Sequence, residues 1–182
     1  MGTRINALLD HNLANFRDRN SVLERLAAAL PGALAVKKYW EIANPTEQHD
    51  TREEWQAAPG SHREPNMDLY TGPGSLFLSV TANAAHIHTG GRWRGFLSIE
   101  PLRRVHLDAF RLISRAFEST CMALYADSCK IDDMFSGEKS QWECIEMMER
   151  MWGPPLQDID QIDRNIAAAA KRMVPEVWFL EQ

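Results

Sequence analysis

A chain of 182 residues, 45% apolar and 25% charged with a net charge of −5, has the length and make-up of one globular domain able to bury a core. No apolar run approaches the ~20 residues of a bilayer span, residues 1–10 lack a signal-like apolar stretch, and the three cysteines form no CxxC pair. The composition therefore argues against a membrane protein and a disulfide scaffold. It makes nucleic acid a poor partner and leads us to expect a reducing, cytoplasmic setting.

In chain order, Ile5, Leu8, Leu9, Leu13 and Phe16 fall on a helical stripe, which predicts a first helix over residues 3–16. Ser21-Val22-Leu23-Glu24 has the form of a capping box and predicts a second helix to Leu30, stopped by Pro31-Gly32. Over residues 34–42 the period drops to two. Leu34, Val36, Trp40 and Ile42 share a face interrupted by Lys38, and predict a strand. Residues 43–66 are polar and irregular and read as a long surface loop, in which residues 51–55 could form a capped helical turn.

A β-rich centre is expected next. It comprises a short strand at residues 67–71, a Gly72-Pro73-Gly74 turn, and a strand with Leu76, Leu78 and Val80 alternating. Residues 85–89 and 92–98 then suggest a hairpin joined at Gly90-Gly91, with Asn83-Ala84 a further bend or bulge. Pro101 suits the first turn of an amphipathic helix over residues 101–117, with Arg103, Arg104, Arg111 and Arg115 mostly off its apolar stripe. Residues 121–126 read as a buried strand. Ser140-Gln141-Trp142-Glu143 is a second capping box, opening a helix to Met151 that Gly153-Pro154-Pro155 ends. An Ala-rich helix from Asp163 to Met173 and a strand at residues 176–181 complete the reading. The sum is one α+β domain over residues 1–182, a mainly antiparallel central sheet with helices packed on it.

Charge is unevenly spread. Residues 92–117 carry six arginines against Glu100 and Asp108, whereas residues 128–163 carry nine acids against Lys130, Lys139 and Arg150. Two solvated faces that partly neutralise one another explain this. So does an acidic segment that steers toward a basic partner.

The tightest chemical cluster is His86-Ile87-His88, whose alternation puts both imidazoles on one strand face. Such a pair can supply two metal ligands, with a third from His106, Asp127, Asp132, Asp133 or Cys129. Solvent-facing histidines on a half-exposed sheet explain the pair equally well. His88-Thr89 fails the spacing of the two-motif His-x-Thr/Ser phosphoesterases, and no second copy exists. Cys121 and Cys144 sit in buried patterns, and Cys129 lies among carboxylates that blunt a thiolate. Asp127, Asp132 and Asp133 lack the spacing and turn glycine of an EF-hand. Of six tryptophans, Trp40, Trp93 and Trp178 belong to core-like strand patterns. Trp142 and Trp152 flank the acidic helix, and Trp55 in the long loop suits partner contact or local packing.

The second half supports a comparison. An amphipathic helix at residues 101–117 leads to a strand ending Leu124-Tyr125-Ala126-Asp127-Ser128. Asp132-Asp133-Met134-Phe135-Ser136-Gly137, Trp152-Gly153-Pro154-Pro155 and Val177-Trp178-Phe179-Leu180 follow. This arrangement, over residues 96–182, resembles the small acidic α+β immunity proteins of bacterial polymorphic toxins, including those of secretion-system effectors. The resemblance implies a non-enzymatic protein that binds one cognate toxin and occludes its active site. It rests on overall style and not on a motif, so no family binding residue carries over. The residues expected to meet a basic toxin cleft are Asp132, Asp133, Glu138, Trp142, Glu143 and Glu146, with Trp55 as a loop anchor and no cofactor. The alternative is a small metal-dependent hydrolase centred on His86 and His88.

Overall fold

A computed structural model describes residues 3–58, 66–126, 139–156, 159–160, 162, 166 and 177–182. Its strands are β1 (Arg4–Leu9), β2 (Gln56–Ala57), β3 (Asp68–Gly72), β4 (Leu76–Val80), β5 (Ala85–Arg92), β6 (Met122–Ala126) and β7 (Phe179–Glu181). They form one sheet in the order β2-β3-β4-β5-β1-β6-β7, with every neighbouring pair antiparallel. The helices are α1 (Arg19–Ala28), α2 (Leu30–Ala43), α3 (Trp93–Ser98), α4 (Glu100–Ala116) and α5 (Gln141–Trp152). The fold is α+β, a mainly antiparallel sheet with helices packed on both faces.

The first element corrects the helix expected over residues 3–16. Residues 4–9 are a strand inserted between β5 and β6, and Ile5 to Leu9 are all buried. A strand covered on both faces has no polar face to reveal its period of two, so its apolar run also satisfied a helical template. Ile5, Ala7 and Leu9 face a core shared with α1, α2 and α4, while Leu8 joins a second cluster beneath α5. Leu13 and Phe16 pack on the larger core from the connecting segment. The Asp10 carboxylate pins the exit of β1, accepting from the Ser119 hydroxyl (2.5 Å) and from the Thr120 amide (2.8 Å) and hydroxyl (2.7 Å).

The segment after it departs from the expected pattern in two places. Asp18, not Ser21, caps α1 by accepting from the Ser21 amide at 3.3 Å. Pro31-Gly32 does not stop a helix. Pro31 lies in the first turn of α2, where its missing donor costs nothing. The strand expected over residues 34–42 is therefore helical. Ala33, Val36 and Trp40 take the inward spacing of a helix, and Lys38 points out to solvent. Gly32 sits in close contact with α4, since a Cβ there would lie 2.7 Å from the Ala109 Cα.

The central hairpins follow the expected turns with one exception. Gly74 (φ +68°) and Ser75 (φ +57°) reverse the chain between β3 and β4. Thr81 closes the next turn, its amide donating to the Ala84 carbonyl and its hydroxyl accepting from the Asn83 and Ala84 amides. The hairpin expected at Gly90-Gly91 is not formed: β5 continues straight to Arg92, and residues 93–98 are α3. Gly91 gives close approach, not reversal, for a Cβ there would meet Ile5 at 2.7 Å and the His106 ring at 3.2 Å. Trp93, Phe96 and Leu97 are buried at helical spacing.

The remaining described elements match the sequence reading. In α4, Leu102, His106, Leu107, Ala109, Phe110 and Ile113 are buried. Ser140 and Glu143 form the reciprocal capping box of α5, whose Cys144, Ile145 and Met148 are buried. β6 and β7 pair at the sheet's far side. Residues 51–55 form no helical turn. The Ala-rich helix expected from Asp163 to Met173 lies almost wholly outside the described residues, although Ile166 is helical. No helix among the described residues is long and apolar enough to cross a membrane.

Candidate functional site

His86 and His88 share a face of β5, as alternation requires, and stack with ring centroids 5.3 Å apart and planes 14° from parallel. Leu8 lies opposite His86 and Asn6 opposite His88 across the β1 pairing. The ring array extends to both sides: Phe77 is 5.4 Å from His88, Tyr125 5.9 Å from His86, and Trp152 of α5 6.4 Å from Tyr125. The Tyr125 hydroxyl meets His86 Nε2 at 2.9 Å. Burial first, and the neighbouring His88 second, push the His86 pKa down to about 3, so it stays neutral at physiological pH.

This geometry bears on the metal reading. An imidazole ligand directs its lone pair in the plane of its ring, and two nearly parallel stacked rings do not converge on one ion between them. His86 Nε2 is also engaged by Tyr125. His106, one of the possible third ligands, lies on the opposite face of the sheet, on α4 beside Ile5 and Gly91. Asp127, Cys129, Asp132 and Asp133 lie outside the described residues, among which no group of three or more metal-ligating side chains assembles. What the pair does within the described structure is pack and hydrogen-bond inside a ring array. In the sequence Tyr125 is marked only as part of a buried strand. It is the residue that connects β5 to α5.

The cysteines are core residues where described. Burial raises both thiols, Cys144 to about 11, and Cys121 lies 3.4 Å from the Gln141 side-chain oxygen. Neither has the positive surroundings that make a thiolate.

The acidic helix presents a different surface. Along the outer side of α5, Trp142 is 53% exposed and Glu143, Glu146 and Glu149 are open to solvent. Glu143 accepts from the Ser140 amide (2.7 Å) and hydroxyl (2.8 Å), which hold its carboxyl below the ordinary range. Glu146 pairs with Arg150 at 3.3 Å, an exposed bridge that contributes little. The structure thus brings Trp142, Glu143 and Glu146 together, while Asp132, Asp133 and Glu138 lie outside the described residues.

Trp55 is placed elsewhere. It is only 6% exposed, packs in the larger core beneath α1, α2 and α4, and is on the other sheet face from α5. Local packing, not loop anchoring, is its role, because β2 folds the end of the long loop onto the sheet edge. Gly72 leaves the space its indole fills: a Cβ there would lie 2.7 Å from three indole carbons. Gly72→Ala is accordingly expected to cost about 1–3 kcal/mol through overpacking. Urea denaturation checks this, and an unchanged midpoint would show that the indole moves aside freely.

The arginine-rich stretch is largely bound within the fold. Arg111 bridges Asp160 (2.9 Å) and Glu181 (2.6 Å), Arg104 pairs with Glu100, and Arg103 reaches the Phe96 and Leu97 carbonyls. These contacts favour the plainer account of the basic stretch, as charge partly neutralised from within. Comparisons of the chain with protein-family models, with curated proteins and with solved structures found no match.

Proposed function

We propose that the protein is a cytoplasmic, non-catalytic immunity protein that binds a cognate bacterial toxin domain and blocks a basic active-site cleft. The observation that carries this reading is the outer face of α5, where an exposed tryptophan stands among three carboxylates. The inner face packs Cys144, Ile145 and Met148 into the second core, and the capping box fixes the first turn, so the display is rigid. A large aromatic group on a preorganised surface is a natural interface anchor. Carboxylates around it can imitate phosphate toward arginine and lysine, and can accelerate encounter with a cationic surface. Asp132, Asp133 and Glu138, close in sequence to this helix, extend the same acidic character.

The test begins with the neighbouring reading frame, whose product should be lethal alone and tolerated when this chain is co-expressed. A combined Trp142→Ala, Glu143→Lys, Glu146→Lys variant should then raise the dissociation constant for that product at least about tenfold. Because Glu143 also closes the capping box of α5, circular dichroism must show that helix content is retained, and a triple variant carrying Glu143→Gln, which keeps that box, is expected to weaken binding as well. An unaltered dissociation constant would remove α5 from the interface. A harmless neighbour that does not bind would remove the immunity reading.

A further inference from the structure

On the side of the sheet away from α5, a cavity of about 220 Å³ opens between the second half of α2, the segment that follows it and the β3–β4 turn. It takes no part in the toxin-binding reading. We propose that this cavity is a binding site for a guanidinium cation, carried by an arginine side chain or by a small organic guanidine.

Charge on the walls selects the sign of the ligand. Lys37 Nζ is held by Glu53 and, at 3.9 Å, by Glu41, so the one lysine of the lining is already neutralised. Asp50 is also committed: Oδ1 accepts from the Arg52 amide (3.1 Å) and guanidinium (2.9 Å), and Oδ2 from the Ser75 amide (3.3 Å). Glu47 is the lining carboxylate with no ion pair among the described residues, and it leaves the cavity with unbalanced negative charge.

Shape and hydrogen bonding select the class. Trp40 supplies an aromatic wall, held edge-on by Tyr39 (5.4 Å) and His106 (6.0 Å). A flat delocalised cation stacks on an indole and offers a fork of donors, which a compact ammonium does not. His49 Nε2 donates to the Asn44 carbonyl at 2.8 Å, which leaves Nδ1 as an acceptor. The Ser75 hydroxyl makes no hydrogen bond among the described residues. Among the described residues Ser75 is also one of two non-glycine residues with positive φ (+57°), and backbone strain of this kind collects at ligand clamps. The adjacent Gly74 packs closely on α2, since a Cβ there would lie 2.7 Å from the Lys37 amide nitrogen.

The experiment is a calorimetric titration of the full chain with Nα-acetyl-L-arginine amide, agmatine and Nα-acetyl-L-citrulline amide, the last an uncharged analogue of the first. Arginine amide or agmatine should bind with a dissociation constant on the order of millimolar. Citrulline amide should bind at least about tenfold more weakly, and Glu47→Gln should weaken the cation by about fivefold or more. Tighter binding of agmatine assigns the site to a small molecule, and tighter binding of the arginine amide assigns it to a polypeptide side chain. Glu47 is exposed, so its variant should fold normally, and Trp40→Leu serves as the second test of the wall. No saturable binding of either cation, equal binding of citrulline amide, or indifference to Glu47→Gln would each overturn the proposal.

Discussion

Lowering the pH from 7 to about 4.5 is expected to remove about 5 kcal/mol of unfolding free energy, because two buried histidines resist protonation while folded. Burial, reinforced by His88, takes His86 down to about 3. Burial takes His106 down to about 4, against the opposing effect of its hydrogen bond with the Leu102 carbonyl. Both values lie below the ordinary 6.5, so in the intervening window the unfolded chain binds more protons than the folded one. Stability is therefore full above about pH 6.5 and falls as pH drops toward the folded-state values, where the decline levels off. Each group contributes about 1.4 kcal/mol per pH unit across that window, and His11, also lowered chiefly by burial, acts in the same direction. The loss is comparable to the whole stability of many domains.

Urea unfolding at several pH values between 7 and 4.5 measures this slope directly. His106→Asn keeps a donor for the Leu102 carbonyl and removes one titrating group, so its slope should be shallower by about one proton. A stability profile that stays flat over this range would mean that these imidazoles are not shielded from water in the folded protein.

Trp93→Ala is expected to cost about 3–5 kcal/mol, the range for deleting a buried large aromatic side chain. Trp93 has no exposed surface and opens α3. Its ring stacks on Phe96 at 5.2 Å, meets Phe179 of β7 at 6.1 Å, and its amide donates to the Thr3 carbonyl at 3.0 Å. The side chain thus ties β7 to a short helix with little stability of its own, while the backbone amide, which the substitution leaves in place, holds the residue before β1. The melting temperature should fall by about 10 °C, from the usual relation for a chain of this size. Trp93→Phe should cost much less, because the indole Nε1 has no acceptor among the described residues and the substitution removes that orphan donor. Equal losses for the two variants would show that the ring's size matters less than its N–H, contrary to this account.

What could be read in the sequence divides along a physical line. Elements with one face in water were legible: α4 shows a polar side and a first-turn proline, α5 a polar side, a capping box and a stop, and β3 and β4 are bounded by a Gly-Pro-Gly turn. Elements covered on both sides, or set by close backbone contact, were not. β1 carried no alternation to read, and Gly91 looked like a hairpin turn because a glycine needed for approach and one needed for reversal are the same letter. The α2 segment was ambiguous for a related reason. Leu34, Val36, Trp40 and Ile42 satisfy period two, and only the partner helix shows that Ala33, Val36 and Trp40 form the buried face.

The candidate sites divide in the same way. The alternation of His86 and His88 and the exposed row Trp142, Glu143 and Glu146 were visible as patterns. That His86 would be buried against Tyr125, that Trp55 would be consumed by the space over Gly72, and that Glu47, His49 and Ser75 would line one cavity were not. By itself, the sequence determined the α+β class, the capped acidic helix with its outward tryptophan, and the core character of Cys121 and Cys144, because local periodicity and capping encode which side of an element meets water. Only the tertiary structure decided the central place of β1, the stacking of the two histidines and the cavity beside α2. Each depends on contacts between residues far apart in the chain, which no local pattern records.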